Sequence, residues 1–299
     1  MAAGMGSRYG RLKQMDAMGP HGETVLDYSV FDAMRAGFRR VVFVIRADFA
    51  EAFKSRTAAR YGERIEIDYA YQDVHDLPGG FSVPQGRVRT LHAVLAARDL
   101  LTEPFAVINA DDFYGRDAFE CLARFLGKKN PSRQGPDQFA MVGYKIGATL
   151  SSNGGVNRGI CHEQNGLLIA IEEHKGIAVG TDGVCRGTNL AGELVQISTG
   201  AISSMNIWAF TPAVVEHMSR HFTDFLESRG DSLTAESYIQ DAVDHLIRSG
   251  KADCRILETD SLWFGVTYPQ DRVPCQEKIR QLIASGDYEA ELWKKTPTT

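Results

Sequence analysis

The residues best placed to do chemistry lie near the amino end. Gly4-x-Gly6-Ser7-Arg8, preceded by Ala3, sets closely spaced glycines beside a guanidinium, and Lys13 follows five positions on. Glycine has no Cβ to block the approach of backbone N–H groups to an anion. Arg8 adds a planar fork that suits phosphate oxygens, and Lys13 adds a compact second charge. A glycine-rich surface turn with solvated basic residues would carry the same residue types. Two familiar phosphate loops do not fit. Lys13 is followed by Gln14 rather than Ser or Thr, so there is no Walker loop. A dinucleotide fingerprint would need its third glycine where Tyr9 stands.

Further along, Asn109-Ala110-Asp111-Asp112 follows the apolar run Phe105-Ala106-Val107-Ile108. Ligands of open α/β sheets bind beyond the carboxyl ends of strands. A carboxylate there can hold Mg²⁺ against phosphate oxygens, because Mg²⁺ prefers one or two carboxylates plus phosphates and water. An Asp pair that caps the following turn is the competing reading. Glu173 and Lys175 sit in Ile171-Glu172-Glu173-His174-Lys175, which reads either as a contact for a sugar phosphate or as a solvated charged turn after a strand. Gln72 closes a strand, and its amide offers both a donor and an acceptor to a pyrimidine edge.

These residues need elements to position them. The pattern predicts helices over 25–36, 50–61, 91–101 and 118–127, alternating with strands at 41–45, 65–71 and 105–108. Such alternation predicts a doubly wound, mostly parallel sheet. The stretch 76–89 reads as a loop because Pro78, Gly79, Gly80, Pro84 and Gly86 punctuate it. Beyond residue 128 the pattern changes to short strands near 139–144, 167–172 and 202–210, a mixed or antiparallel extension, with Gly, Asn and Ser frequent over 147–166. Helices return at 212–227 and 234–249, followed by a strand at 254–258 and a last helix at 274–284.

Composition narrows the classes. A net charge of -5 among 299 residues does not suggest a basic face for nucleic acid. Cys121, Cys161, Cys185, Cys254 and Cys275 are scattered and never form a C-x-x-C pair, so a reducing cytoplasm fits better than a disulfide framework or a zinc site. No apolar run approaches the ~20 residues that span a bilayer, and no signal-like segment opens the chain, so the expected localisation is cytoplasmic.

Ala2-Ala3-Gly4-Met5-Gly6-Ser7-Arg8 with Lys13, followed by Gly22-Glu23-Thr24-Val25-Leu26-Asp27-Tyr28-Ser29, resembles the sugar-nucleotide pyrophosphorylases, nucleotidyltransferases of the glucose-1-phosphate uridylyl- and thymidylyltransferase type. The resemblance extends to Gly286-Asp287-Tyr288 and Leu292-Trp293 near the other end. It implies a Rossmann-like mixed sheet of the nucleotide-diphospho-sugar transferase (GT-A-like) type with an antiparallel sugar-binding extension. Residues 1–140 would form the nucleotide-binding part of the domain. Residues 141–299 would form the sugar-phosphate-binding part and the C-terminal helices. The implied reaction joins a nucleoside triphosphate, UTP or dTTP, to a sugar 1-phosphate and releases pyrophosphate, with Mg²⁺ as cofactor and a homo-oligomer as an allowed state. The loop Ala3, Gly4, Gly6 and Ser7 would wrap the triphosphate, while Arg8 and Lys13 neutralise the departing pyrophosphate. Asp111 would hold the metal, with Asp112 as a helper. Gln72 and Thr90 would meet the base, and Glu173, Lys175 and Asn206, the last in an N-x-W strand ending at Trp208, would meet the sugar phosphate.

Three departures from the resemblance carry expectations. A second metal-binding Asp is implied where Gly265 stands, so that ligand is absent, moved (Asp260 is one candidate) or supplied differently. The segment Gly86–Ala93 is short by about three residues before Thr90, which implies a weakened base contact or an inactive protein. A central strand is implied ahead of the glycine loop, yet Met1 directly precedes that loop, so the expectation is a start upstream of Met1 or a destabilised fold. The first two departures keep open a non-catalytic sugar-nucleotide-binding or regulatory protein. A cytidylyltransferase with another phosphorylated acceptor is a further alternative, since the loop is shared among nucleotidyltransferases.

Overall fold

Helix α1 (Val25–Arg35) begins at a capping box, in which the Thr24 side chain accepts from the Asp27 N–H and the Asp27 carboxylate accepts from the Thr24 N–H. The computed structural model describes residues 1–3, 16–81, 90–128, 135–151, 154–230, 232, 235–265 and 269–294. Strand β1 (Arg40–Ile45), helix α2 (Ala50–Tyr61) and strand β2 (Glu66–Tyr71) follow α1, and β1 and β2 pair in parallel. Asp27 is fully buried and is compensated by Arg60 of α2 at 2.7 Å, while Arg60 also donates to the Gly22 carbonyl. The Gly-Glu-…-Asp-Tyr-Ser stretch thus ties the entry of α1 to α2.

Helix α3 (Thr90–Ala96) is shorter than its apolar pattern suggests, and a 3-10 turn at Arg98–Leu100 completes it. Strands β3 (Phe105–Val107) and β4 (Asp112–Phe113) flank the Asn-Ala-Asp-Asp segment, and helix α4 (Arg116–Leu126) follows. Next come β5 (Asp137–Lys145), β6 (Val156–Gln164), β7 (Leu167–Val179), β8 (Cys185–Thr188), β9 (Leu194–Gln196) and β10 (Ile202–Phe210). Helices α5 (Val214–Arg229) and α6 (Ile239–Arg248), strands β11 (Ala252–Glu258) and β12 (Phe264–Gly265), and helix α7 (Arg272–Ala284) close the order.

The large sheet runs β11-β5-β10-β6-β7-β8-β9, with β3 also on β10. The expectation of a mostly parallel sheet is corrected here. Among the described residues only β1–β2 and β5–β11 pair in parallel, and the remaining ladders are antiparallel. Strand β6 occupies part of the stretch in which Gly, Asn and Ser are frequent and for which the pattern predicts no strand. Its Gly159 serves close packing rather than a turn, since a Cβ there would lie 2.6 Å from Ile171 Cγ2. Glu173 and Lys175 also lie inside β7, not in a turn after a strand.

The principal core packs one face of this sheet, through Trp208, Phe210, Phe139 and Met141, against α3, α5 and α6. A second cluster packs Tyr144, Met205 and Ile207 against α4. The two-stranded β1–β2 sheet is joined to the large sheet through Met1 and Ala2. The Ala2 N–H donates to Val44 O at 2.8 Å, the Met1 amino group donates to Ile108 O at 2.7 Å, and the Ala110 N–H donates to Met1 O at 3.0 Å. No helix among the described residues is long and apolar enough to cross a membrane.

Candidate active site

Strand β10 changes neighbours along its length. Ser203 and Ser204 pair with β6, whereas Trp208 to Phe210 pair with β3. Between them the register with β5 slips, and Asn206 adopts a left-handed backbone with φ 61°. A non-glycine residue at positive φ is uncommon, and Asn tolerates it better than most. The side chain is held on both sides. Its Nδ2 donates to Asn109 Oδ1 at 2.8 Å, and its Oδ1 accepts from Trp208 Nε1 at 3.0 Å. Asn206 and Asn109 thus meet where β3 and β6 take up successive stretches of β10, beyond the carboxyl end of β3.

Asn109 extends the network, donating from Nδ2 to Asp112 Oδ2 at 2.9 Å. The Tyr114 hydroxyl accepts from the Asn109 N–H at 3.2 Å and lies 3.3 Å from Asp112 Oδ2 and 3.0 Å from the Met205 carbonyl. Burial, reinforced by the neighbouring Asp111, pushes the Asp112 carboxyl up to about 7, against the hydrogen bonds from Asn109 and Tyr114. Asp111 is half-buried beside it and makes no hydrogen bond with the described residues.

The missing carboxylate at position 265 has a physical counterpart. Gly265 pairs with Asp112 across β12–β4, and a Cβ on Gly265 would lie 2.4 Å from Asp112 Oδ1 and 3.1 Å from Trp263 Cζ2. Asp112 therefore fills the space that a side chain at 265 would claim, while Asp260 is exposed. Asp111 and Asp112 offer two adjacent hard oxygen donors, and no group of three or more metal-ligating side chains forms among the described residues. Such a pair suits Mg²⁺, which keeps waters and substrate phosphates in its remaining positions.

The other sequence-selected residues make contacts of their own. Gln72 follows β2, and its Nε2 lies 3.3 Å from His92 Nδ1. Burial lowers the His92 pKa, which favours a neutral ring able to accept from that amide. Thr90 opens α3, but its hydroxyl is engaged by the Ile239 N–H at 3.2 Å, where α6 begins. Glu173 faces Gln240 of α6, with Nε2 to Oε2 at 3.5 Å, and burial raises its carboxyl above the ordinary range. Lys175 is exposed on β7 opposite Thr188. Ala3 is buried next to the β1–β3 junction. Gly4, Gly6, Ser7, Arg8 and Lys13 lie outside the described residues.

Neither a protein-family model nor a curated protein matches this chain in sequence. Solved structures do match it in three dimensions. A protein described as a glucose-1-phosphate thymidylyltransferase, from Bacillus anthracis and in complex with sucrose, aligns with TM-score 0.61 over 93% of each chain at 13% identity. The inositol-1-phosphate CTP transferase from T. maritima aligns with TM-score 0.57 over 94% of each chain at 12% identity. The fold is shared. At these identities that likeness speaks for architecture alone, and the chemistry rests on the side chains just described.

Sequence reasoning missed Arg158 and Trp263. The Arg158 guanidinium stacks 4.9 Å from the Trp263 ring centre and donates to the Thr149 carbonyl at 3.0 Å, and Asp112 and Glu173 both act on its charge. Nothing in the local pattern marks Arg158, because its neighbours become neighbours only when β6, β4 and β12 assemble.

Proposed function

We propose that this chain is a nucleotidyltransferase that transfers a nucleoside monophosphate from a nucleoside triphosphate to a sugar 1-phosphate and releases pyrophosphate. One observation carries the reading. Asn109 ties Asp112 to Asn206 beyond the end of β3, with Asp111 next to Asp112, in a fold shared with two phosphate-acceptor nucleotidyltransferases. An oxygen of the acceptor phosphate attacks the α-phosphorus in line. The new O–P bond forms as the bond to the β-phosphate oxygen breaks, and the electron pair leaves with pyrophosphate. The attacking phosphate is already anionic, so no general base is needed, and positioning with charge neutralisation supplies the rate. Asp111 and Asp112 would hold Mg²⁺, which neutralises phosphate charge when bound. Asn109 and Tyr114 keep the Asp112 carboxylate in place. Arg8 and Lys13 steady the departing pyrophosphate. Asn206, Glu173 and Lys175 position the sugar phosphate, and Gln72 and Thr90 border the base.

UTP and dTTP are the first choices of donor. The likeness to an inositol-1-phosphate CTP transferase gives CTP, with a different phosphorylated acceptor, a place beside them. Pyrophosphate release measured over a panel of these triphosphates with glucose 1-phosphate and inositol 1-phosphate distinguishes the two. The productive pair should lose about 10²–10³-fold in turnover in Asp111→Ala, the size typical of removing one charge-stabilising group. No turnover with any pair, together with identical nucleotide binding by wild type and Asp111→Ala, would sink the reading.

A further inference from the structure

Arg158 stands where the strands that carry the candidate site meet. On β6 it directly precedes Gly159, which pairs with Ser204 of β10 on one side and with Glu173 of β7 on the other. Just past Ser204, Asn206 takes its left-handed turn. Asp112 of β4 and Glu173 of β7 both act on the charge of Arg158, yet neither forms an ion pair with it, and no other described residue does.

What holds the guanidinium is neutral. Nη1 donates to the Asn157 carbonyl at 2.9 Å and Nη2 to the Thr149 carbonyl at 3.0 Å, while the Trp263 ring covers one face. These contacts fix the plane of the fork and leave its charge uncompensated. The buried Nε–H of Arg158 has no acceptor, and neither has the buried Nε1–H of Trp263. A buried donor without an acceptor costs about 1–3 kcal/mol. Two such donors on one stacked pair call for an oxygen-rich partner. Burial lowers the Arg158 pKa against the pull of Asp112 and Glu173, but a guanidinium stays charged all the same. An anion is the partner that answers both the charge and the unused donors, and a fork of N–H groups matches phosphate oxygens.

Lys175, the cation that the resemblance places on the sugar phosphate, is exposed on β7 opposite Thr188. A hydrated, screened ammonium contributes little at such a position. We infer that Arg158, more than Lys175, is the residue that binds the phosphate of the acceptor, beside Glu173, which takes the sugar hydroxyls. This rests on the nucleotidyltransferase reading above and adds to it the side chain that selects a phosphorylated acceptor over a free one.

The test uses the donor and acceptor that release pyrophosphate in the panel above. Arg158→Gln keeps a donor for the Thr149 carbonyl but loses the charge. Its KM for the acceptor should rise about 10–100-fold, while its KM for the triphosphate stays within about threefold of wild type. Arg158→Lys should recover part of that loss, since the charge returns without the fork. Lys175→Gln should cost less than Arg158→Gln. Wild type supplies a readout that does not depend on how the variants fold. The Arg158 Nε–H resonance, assigned through bonds from its own backbone amide, should shift when the phosphorylated acceptor is added with a non-hydrolysable analogue of the donor. The unphosphorylated acceptor should leave it in place. An unchanged acceptor KM in Arg158→Gln, equal rises in both KM values, a larger loss in Lys175→Gln, or a resonance indifferent to the phosphorylated acceptor would each overturn the assignment and leave the reading standing. Wild type that releases no pyrophosphate with any pair would remove the reading, and the assignment with it.

Discussion

At the scale of single residues, Gly265 and Asp112 share one volume. The resemblance places a carboxylate at 265, and this chain instead brings one from the neighbouring strand into the space the glycine leaves open. The glycine is therefore needed for its lack of a Cβ and not for a turn. In Gly265→Ala the new methyl meets Asp112 Oδ1 and the Trp263 ring. We expect a loss of about 1–3 kcal/mol in urea unfolding, as for other overpacked sites, together with at least about a tenfold loss of turnover. The exchange variant, Asp112→Gly with Gly265→Asp, should return part of that turnover if the space is what matters. Turnover in Gly265→Ala equal to wild type would show that the Asp112 carboxylate is not used. Asn206 makes the same point from the backbone. Its positive φ is maintained by bonds to Asn109 and Trp208, so the strain and the network sit at one residue.

At the scale of elements, the conspicuous Gly22-Glu23-Thr24-Val25-Leu26-Asp27-Tyr28-Ser29 stretch is a helix entry. Thr24 and Asp27 form the capping box, Asp27 is buried, and Arg60 reaches both Asp27 and the Gly22 carbonyl from α2. Arg60→Ala leaves the Asp27 carboxylate buried without its cation. The usual cost of breaking such a pair is reduced here because Arg60 is partly exposed, and we expect about 2–3 kcal/mol in denaturant unfolding. Arg60→Lys should recover only part of that loss, since one ammonium does not match a fork that bonds two groups. An unchanged midpoint in Arg60→Ala would place the stability of α1 elsewhere.

At the scale of the whole molecule, the two ends of the sequence meet on α1. Tyr288, Leu292 and Trp293 pack against Tyr28 and Phe31, and the Tyr288 hydroxyl donates to Asp32 at 2.6 Å. Burial pushes the Asp32 carboxyl from 3.8 up to about 7, against the opposing bond from Tyr288 and the charge of Arg35. The folded chain therefore holds this proton more tightly than the unfolded chain does. Asp32 gives its full stabilisation below the lower value, and that contribution is lost as pH rises toward 7. The loss is on the order of 4 kcal/mol across the window. Asp32→Asn keeps an acceptor for Tyr288 and removes the titration. Its unfolding free energy, measured from about pH 4 to pH 8, should fall less steeply than that of wild type. Parallel profiles would show that Asp32 is not the group responsible.

The sequence by itself determined the elements whose period is strong and local. α1, α2, β1, β2, α4 and α7 lie within a few residues of where apolar spacing places them, because each buries one continuous face or run. It also placed Asn109 to Asp112 just after a strand, since an apolar run followed by short polar residues is a local signal. Only the tertiary structure decided the rest. β6 hides behind glycines that serve close packing. Thr90 spends its hydroxyl on α6, 149 residues away. Asp112 replaces a side chain at 265 because β4 and β12 happen to pair. Each of these depends on which distant backbone comes within a few ångströms, and no local pattern of residues encodes that proximity.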